Sequence, residues 1–308
     1  MHMQRKLPNF LIVGAAKSGT SSLYQYLKQH PEVYVPPTKK EPMFFVSAIY
    51  KKLSRNDPRH EIADRIVICS LDDYRNLFER ARNEQKAIGE ASAAYLYHHE
   101  TAIPNIKTHL GDIKVIIILR NPTDRAYSSY YHLVRDGAEN CSFEDFLKKE
   151  EERKRENWDI LNYPKSLGFY YDQVKAYMDN FSEVKVCLFD DMKRDSLKLV
   201  KDVYAFLGID ESFVPDTSSI YNPSGVPMNK LLHCLLSTDN FVKSACKPLI
   251  RAIISPEKAS KLCKILQKKN IGKKAMDSKT RQFLKTLYRE DILKLQSLIH
   301  RDLSRWLQ

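Results

Sequence analysis

Residues 10–23, FLIVGAAKSGTSSL, constrain this chain more than any other stretch. An apolar run from Phe10 to Val13 breaks into small residues, then a lysine, a glycine and a row of hydroxyls. That order spells a buried strand, a tight loop and the start of a helix. Gly14 and Gly19 permit backbone angles and close approaches that a Cβ would block. Ser18, Thr20, Ser21 and Ser22 place hydroxyl and amide groups at the positive end of the helix, where an anion is favoured.

The same geometry returns at residues 114–134, KVIIILRNPTDRAYSSYYHLV. Val115 to Leu119 read as a buried parallel strand closed by Arg120-Asn121-Pro122, and DRAYSSYYHLV as the helix after it. A guanidinium at the strand's end offers paired donors to phosphate oxygens. Ser128, eight residues on, lies on the following helix.

The first loop has the glycine separation of the Walker A pattern, yet Lys17 precedes the second glycine and Thr20 follows it directly, an order unsuited to an ATPase. Lys-Ser-Gly-Thr instead resembles the 5′-phosphosulfate loop of sulfotransferases that use 3′-phosphoadenosine 5′-phosphosulfate (PAPS), and Arg120 with Ser128 resembles their 3′-phosphate element. A third segment, KKEPMFF, is similar to the glycosaminoglycan sulfotransferases, in which the glutamate before the aromatic pair is the general base. Glu41 is the matching residue, and Met43 stands where that pattern has histidine. The resemblance runs from Asn9 to about Trp306 and is specific at AAKSGTSSL, KKEPMFF and LRNPTDRAYSS. It implies transfer of a sulfuryl group to a hydroxyl, less readily an amine, with 3′-phosphoadenosine 5′-phosphate (PAP) as product. Lys17 would supply the cation and Ser18, Gly19, Thr20, Ser21 and Ser22 the cage around the 5′ end; Gly272, Lys273 and Lys274 would close over the 3′-phosphate side. Glu90, His98 and His99 are second candidates for the base, in a stretch where similar enzymes carry proline at the position of Ala93. No metal is expected, since lysine alone can serve a group carrying one charge fewer than a phosphoryl group.

Strands near 10–14, 87–91, 113–119 and 184–189, alternating with helices, predict an α/β, P-loop-like three-layer fold: a mostly parallel central sheet with helices on both faces. Phosphate elements in such folds sit at the carboxyl ends of the strands. Nothing divides the chain by repeat or linker, so residues 1–308 read as one domain, with a nucleotide-binding core over 9–230 and a helical part over 231–308. Segments 46–86 and 135–165 are expected to shape the acceptor pocket, and the charged run at 143–157 to form an exposed helix serving solubility. Asp190 and Asp191 follow a strand and invite a magnesium-site reading; a helix-capping role is the expectation. Apolar stripes after Leu231 read as packed core, with a peripheral membrane face as the alternative.

Fifty basic and 38 acidic residues give a net charge of +12. Between Lys243 and Arg289 fourteen Lys and Arg meet two acids, which equals the whole excess. The charge is therefore regional; it leans toward an anionic glycan as acceptor, while nucleic acid is not expected as a partner. Six cysteines without C-x-x-C spacing fit reduced thiols and a cytoplasmic protein. No apolar run reaches the length of a membrane span. Two rival readings remain at this level: a P-loop kinase or ATPase using magnesium and Asp190, and a non-catalytic binder of polyanions.

Overall fold

The structure, a computed structural model, describes residues 6–219, 226–227, 271–272 and 274–308. Five parallel strands lie in the order β2-β3-β1-β4-β5. They are β1 (Phe10–Gly14), β2 (Val33–Tyr34), β3 (Ala87–Ala91), β4 (Lys114–Leu119) and β5 (Val184–Leu188). Four match the expected strands to within a residue; β2 falls in a proline-rich stretch where two residues give no readable period. Helices in chain order are α1 (Thr20–Leu27), α2 (Ser47–Tyr50), α3 (His60–Ile66), α4 (Leu71–Asn76), α5 (His99–Leu110), α6 (Pro122–Arg135), α7 (Phe143–Lys148), α8 (Glu150–Arg155), α9 (Tyr171–Asn180), α10 (Phe189–Arg194), α11 (Ser196–Leu207) and α12 (Ser278–Ile299). No helix among the described residues is long and apolar enough to cross a membrane.

The sheet is buried on both faces, which explains why β1 and β4 are apolar without alternation. Successive side chains still point to opposite layers. Leu11, Val13, Val115, Ile117 and Leu119 pack with Ile106 of α5, Leu133 of α6, Val174 of α9 and Leu284 of α12. Phe10, Ile12, Ile116 and Ile118 pack with Leu23 of α1 and Val203 of α11. The helix after β1 thus covers one face and the helix after β4 the other. Between the carboxyl ends of these two neighbouring strands a crevice opens, the switch point at which open parallel sheets bind ligands.

Local signals fix the helices around that crevice. Asn121 caps α6, its side chain accepting from Thr123 N at 3.0 Å, and Pro122 fills the first turn where no N–H is needed. Asp195 caps α11 by accepting from Lys198 N at 2.9 Å, and Gly208 ends it in the left-handed region. Capping therefore belongs to Asp195 and not to the expected Asp190 and Asp191. Those two face the C-terminus instead: the Trp306 indole donates to Asp190 at 2.8 Å, and Arg301 pairs with Asp191 at 2.7 Å.

The charged run at 143–157 also differs from expectation. It forms two short helices, and Glu150 is fully buried. Its carboxylate accepts from the backbone N–H groups of Lys165 and Ser166, at 2.5 and 2.9 Å, and pairs with Lys154 at 3.1 Å. Arg153, buried as well, pairs with Glu139 at 2.7 Å. Mixed charge in sequence looks like a solvated face; here Glu150 and Arg153, three residues apart, turn inward to partners outside the run. Of the thiols, Cys187 is buried and Cys69 exposed. Cys234, Cys246 and Cys263, the stripes after Leu231 and Lys273 lie outside the described residues. Removing the Glu150 carboxylate would strand two amides and a hydroxyl in the interior. Glu150→Ala should lower stability by about 3 kcal/mol, read as a shift of the urea midpoint at unchanged slope.

Candidate active site

One cleft of about 300 Å³ lies at the crevice. Its floor comes from the first loop, with Ala16, Lys17, Gly19, Thr20, Ser21 and Ser22, and from the end of β4 and α6, with Arg120, Ser128 and His132. Glu41 and Met43 form part of the wall, and Phe189 of α10 another. Tyr50, Arg59 and Ile66, together with Asp159, Ile160 and Leu161, with Arg59 3.5 Å from Asp159, and Ala93 and Ala94 complete it. Segments 46–86 and 135–165 thus contribute to the wall.

The loop after β1 is shaped by backbone geometry. Ala15 N donates to Ile118 O at 2.8 Å, extending the β1–β4 pairing one step beyond the strand. Lys17 and Gly19 both take positive φ, 66° and 103°, and Gly19 immediately precedes the first helical residue. A Cβ on Gly19 would come within 2.9 Å of the Phe189 ring, so glycine is needed there twice over. The first turn of α1, Thr20 to Ser22, then lines the cleft.

Arg120 links the two halves. Its Nη1 donates to Lys17 O at 3.3 Å, its guanidinium lies 4.8 Å above the Phe189 ring, and its own carbonyl accepts from the Tyr170 hydroxyl at 3.0 Å. Burial lowers its proton affinity, opposed by Asp124, Tyr170 and Asp190. The buried Nε has no hydrogen-bond partner among the described residues. A buried, unsatisfied guanidinium donor is costly, and the rest of the Arg120 side chain is on the cleft lining.

Glu41 is about one-third exposed and in close contact with Lys40, whose ammonium also donates to Thr20 Oγ1 at 3.3 Å. The salt bridge with Lys40 and a place on the cleft are therefore both present. Lys40 joins the wall to the loop, a link the sequence hides because adjacent lysines look like solvated charge.

His132 is the other residue missed from sequence. It sits one helical turn after Ser128, so the i, i+4 spacing would have revealed it. Arg135 donates to its Nδ1 at 2.7 Å, which leaves the ring hydrogen on Nε2. Burial, with help from the charges of Lys17, Arg135 and Arg59, pushes its pKa down to about 2.

The remaining sequence candidates do not meet here. Ser18 is fully buried and off the cleft. Glu90 is fully buried behind the 40–43 segment. His98 and His99 also stand away from the cleft lining, and burial drives His98 down to about 4. Gly272 lies in a short strand, β7 (Ile271–Gly272), paired with β6 (Val226–Pro227). The Lys274 backbone is held by Tyr131 and Tyr127 of α6, both at 3.0 Å, while its side chain is exposed.

Comparison with known proteins agrees with this architecture. The sulfotransferase domain family matches residues 7–291. The crystal structure of a sulfotransferase from Alicyclobacillus acidocaldarius is 35% identical, covering 98% of this chain and all of that one, with a TM-score of 0.74. The human bifunctional heparan sulfate N-deacetylase/N-sulfotransferase 3 is 26% identical over 98% of this chain but only 31% of its own length. The membrane-associated sulfotransferase kil1 of Dictyostelium discoideum is 32% identical over 42% of this chain and 24% of its own. The chain belongs to the sulfotransferase family, and it spans less than a third of the length of these two curated relatives.

A neutral His132 makes a direct prediction. In nitrogen-detected NMR its imidazole should show no titration between pH 5 and 8 and should keep the hydrogen on Nε2; a midpoint near the usual pKa of about 6.5 would contradict the buried, arginine-bonded geometry.

Proposed function

We propose that this cleft transfers a sulfuryl group from PAPS to a hydroxyl of an acceptor, an amine being the lesser alternative. The observation that carries this reading is that Lys17, Glu41, Arg120 and Ser128, drawn from three separate stretches of chain, line one cleft at the β1–β4 switch point. The Arg120 guanidinium on the cleft lining fits a phosphate there. Membership of the sulfotransferase family supports the donor.

In this reading the amides at the start of α1 and the hydroxyls of Thr20, Ser21 and Ser22 hold the 5′ end of the nucleotide, with Arg120 and Ser128 on the 3′-phosphate. Gly272 and Lys274, on the strip fastened to α6, would cover that side together with Lys273. PAPS supplies the activated sulfuryl group. As the acceptor oxygen bonds to sulfur, the bond from sulfur to the bridging oxygen breaks and charge collects on the 5′-phosphate. Lys17 and the loop amides are fixed in advance to take up that charge. Glu41 accepts the proton that the hydroxyl loses. The described residues thereby supply a cation, a donor cage and a base.

For the acceptor, the heparan sulfate named in the curated relatives favours a glycan, in keeping with the regional positive charge of the chain. A kinase reading has less support, because Asp190 is engaged by Trp306 and by Lys193 at 3.3 Å. We further read residues 1–308 as one catalytic domain, in line with the extent of the family match.

Three variants test the assignment. Lys17→Ala should cut turnover about 10²–10³-fold, as loss of a preorganised oxyanion donor does. Glu41→Gln should cut it about 10²–10⁴-fold with PAP affinity unchanged. Arg120→Ala should instead weaken PAP binding by at least 2 kcal/mol, roughly thirtyfold. Calorimetric titration with PAP and ATP, beside a mass-detected acceptor assay, checks all three. Near-normal turnover of Glu41→Gln would remove the base assignment, and preference for ATP would remove the donor.

A further inference from the structure

Glu90 stands apart among the buried acids of the described residues. It is fully enclosed, and neither carboxylate oxygen makes a hydrogen bond of ordinary geometry. Glu150 and Asp57, equally enclosed, both accept from backbone amides. A bare buried charge is costly enough that such a group keeps its proton instead.

Its position gives that proton a consequence. Glu90 is the penultimate residue of β3, and the two residues after it hold the segment that carries Glu41. Ala91 N donates to Lys40 O at 3.3 Å, and Met43 N donates to Ser92 Oγ at 3.1 Å. A third restraint, Ile68 N to Pro42 O at 2.8 Å, comes from outside the sheet. Met43 itself has φ of 52°, a conformation a non-glycine residue keeps only when its surroundings impose it.

The groups facing Glu90 are identifiable on every side. Tyr74 of α4 and Tyr95 of the turn after β3 are fully buried, and the hydroxyl of each lies close enough to Glu90 to interact with it. Tyr24 of α1 gives its proton to Pro36 O, and Tyr177 of α9 gives its own to Tyr95 O at 2.9 Å. From the 40–43 segment come one positive and one negative charge, Lys40 and Glu41. Burial pushes Glu90 up to about 8; the Tyr95 and Ser92 hydroxyls pull it down, Glu41 pushes it further up, and Lys40 opposes that. Protonated, Glu90 adds no charge beneath Glu41. Ionised, it would repel Glu41 and compete for Lys40, the cation that touches both Glu41 and Thr20.

We propose that Glu90 is a positioning residue for Glu41: as an uncharged acid beneath the 40–43 segment it keeps Lys40 committed to Glu41 and Thr20, and its ionisation sets the alkaline limit of activity. This rests on the reading of Glu41 as proton acceptor, so the experiment separates the two. Melting temperature between pH 4.5 and 9, together with kcat and the KM for PAPS, would be measured on the wild type, Glu90→Gln, Glu90→Ala and Glu41→Gln.

The sign follows from linkage. In the unfolded chain Glu90 loses its proton near 4.5, whereas in the folded protein it keeps it up to about 8. Stability that depends on that proton is complete below pH 4.5 and is lost as pH rises toward 8. The melting temperature of Glu90→Gln minus that of wild type should therefore climb through this window and level off above it. Glu90→Ala should lose about tenfold or more in kcat, in the range of a misplaced catalytic group, at unchanged KM for PAPS. Glu90→Gln should restore most of that loss and lack the decline that wild type shows above about pH 8. A melting difference that does not change with pH, or an identical alkaline decline in Glu90→Gln, overturns the proposal. If Glu90→Ala does not fold, the two Glu90→Gln readings decide. Near-normal turnover of Glu41→Gln would overturn the base assignment, and with it the link to catalysis.

Discussion

Everything in the site depends on the way β1 and β4 end side by side. β1 ends at Gly14 opposite Ile117 and β4 runs on to Leu119, the chain leaves them toward opposite faces, and each exit presents a group that attracts anions. The join is made by two hydrogen bonds, Ala15 N to Ile118 O and Arg120 to Lys17 O. These fasten the loop that carries the lysine to the strand end that carries the arginine. A ligand with two phosphate groups can then be gripped at both ends by parts of one rigid sheet, and little has to be ordered when it arrives.

The proton-accepting side is held differently. Glu41 lies on a segment that is itself neither helix nor strand, and its place is set by hydrogen bonds to Ala91 of β3 and to Ser92 just after it, and by Lys40. The sheet thus serves the site twice, once through strand ends that bind charge and once through an inner strand that anchors a loop. A buried carboxyl beneath that loop is consistent with a design in which one charge, on Glu41, is exposed to the cleft and its neighbour is kept neutral.

Much of this was legible in the sequence because the signals are local. Five apolar residues before Arg120, and an apolar run before Gly14, mark strands buried on both faces. Positive φ at Gly19 follows from composition at a single position, whereas α6 starts at Pro122, two residues before the DRAYSSYYHLV stretch that marks it in sequence. What escaped reading was long-range. Nothing near Lys40 says that it will reach Thr20, and nothing near Glu90 says that its side chain will face inward among buried tyrosines. Glu150 looks solvated in the sequence because its neighbours are charged, although its backbone partners lie fifteen and sixteen residues further on. His132 was recoverable, since it lies one helical turn after Ser128, and Tyr50 and Arg59 were recoverable only as members of a segment.

The most direct test is a crystal structure with PAP bound. The account predicts the 5′-phosphate against Lys17 and the amides of Gly19 to Ser21, and the 3′-phosphate against Arg120 and Ser128, with Glu41 facing the 5′ end across the cleft. A nucleotide bound with its two phosphates away from Lys17 and Arg120 would contradict it.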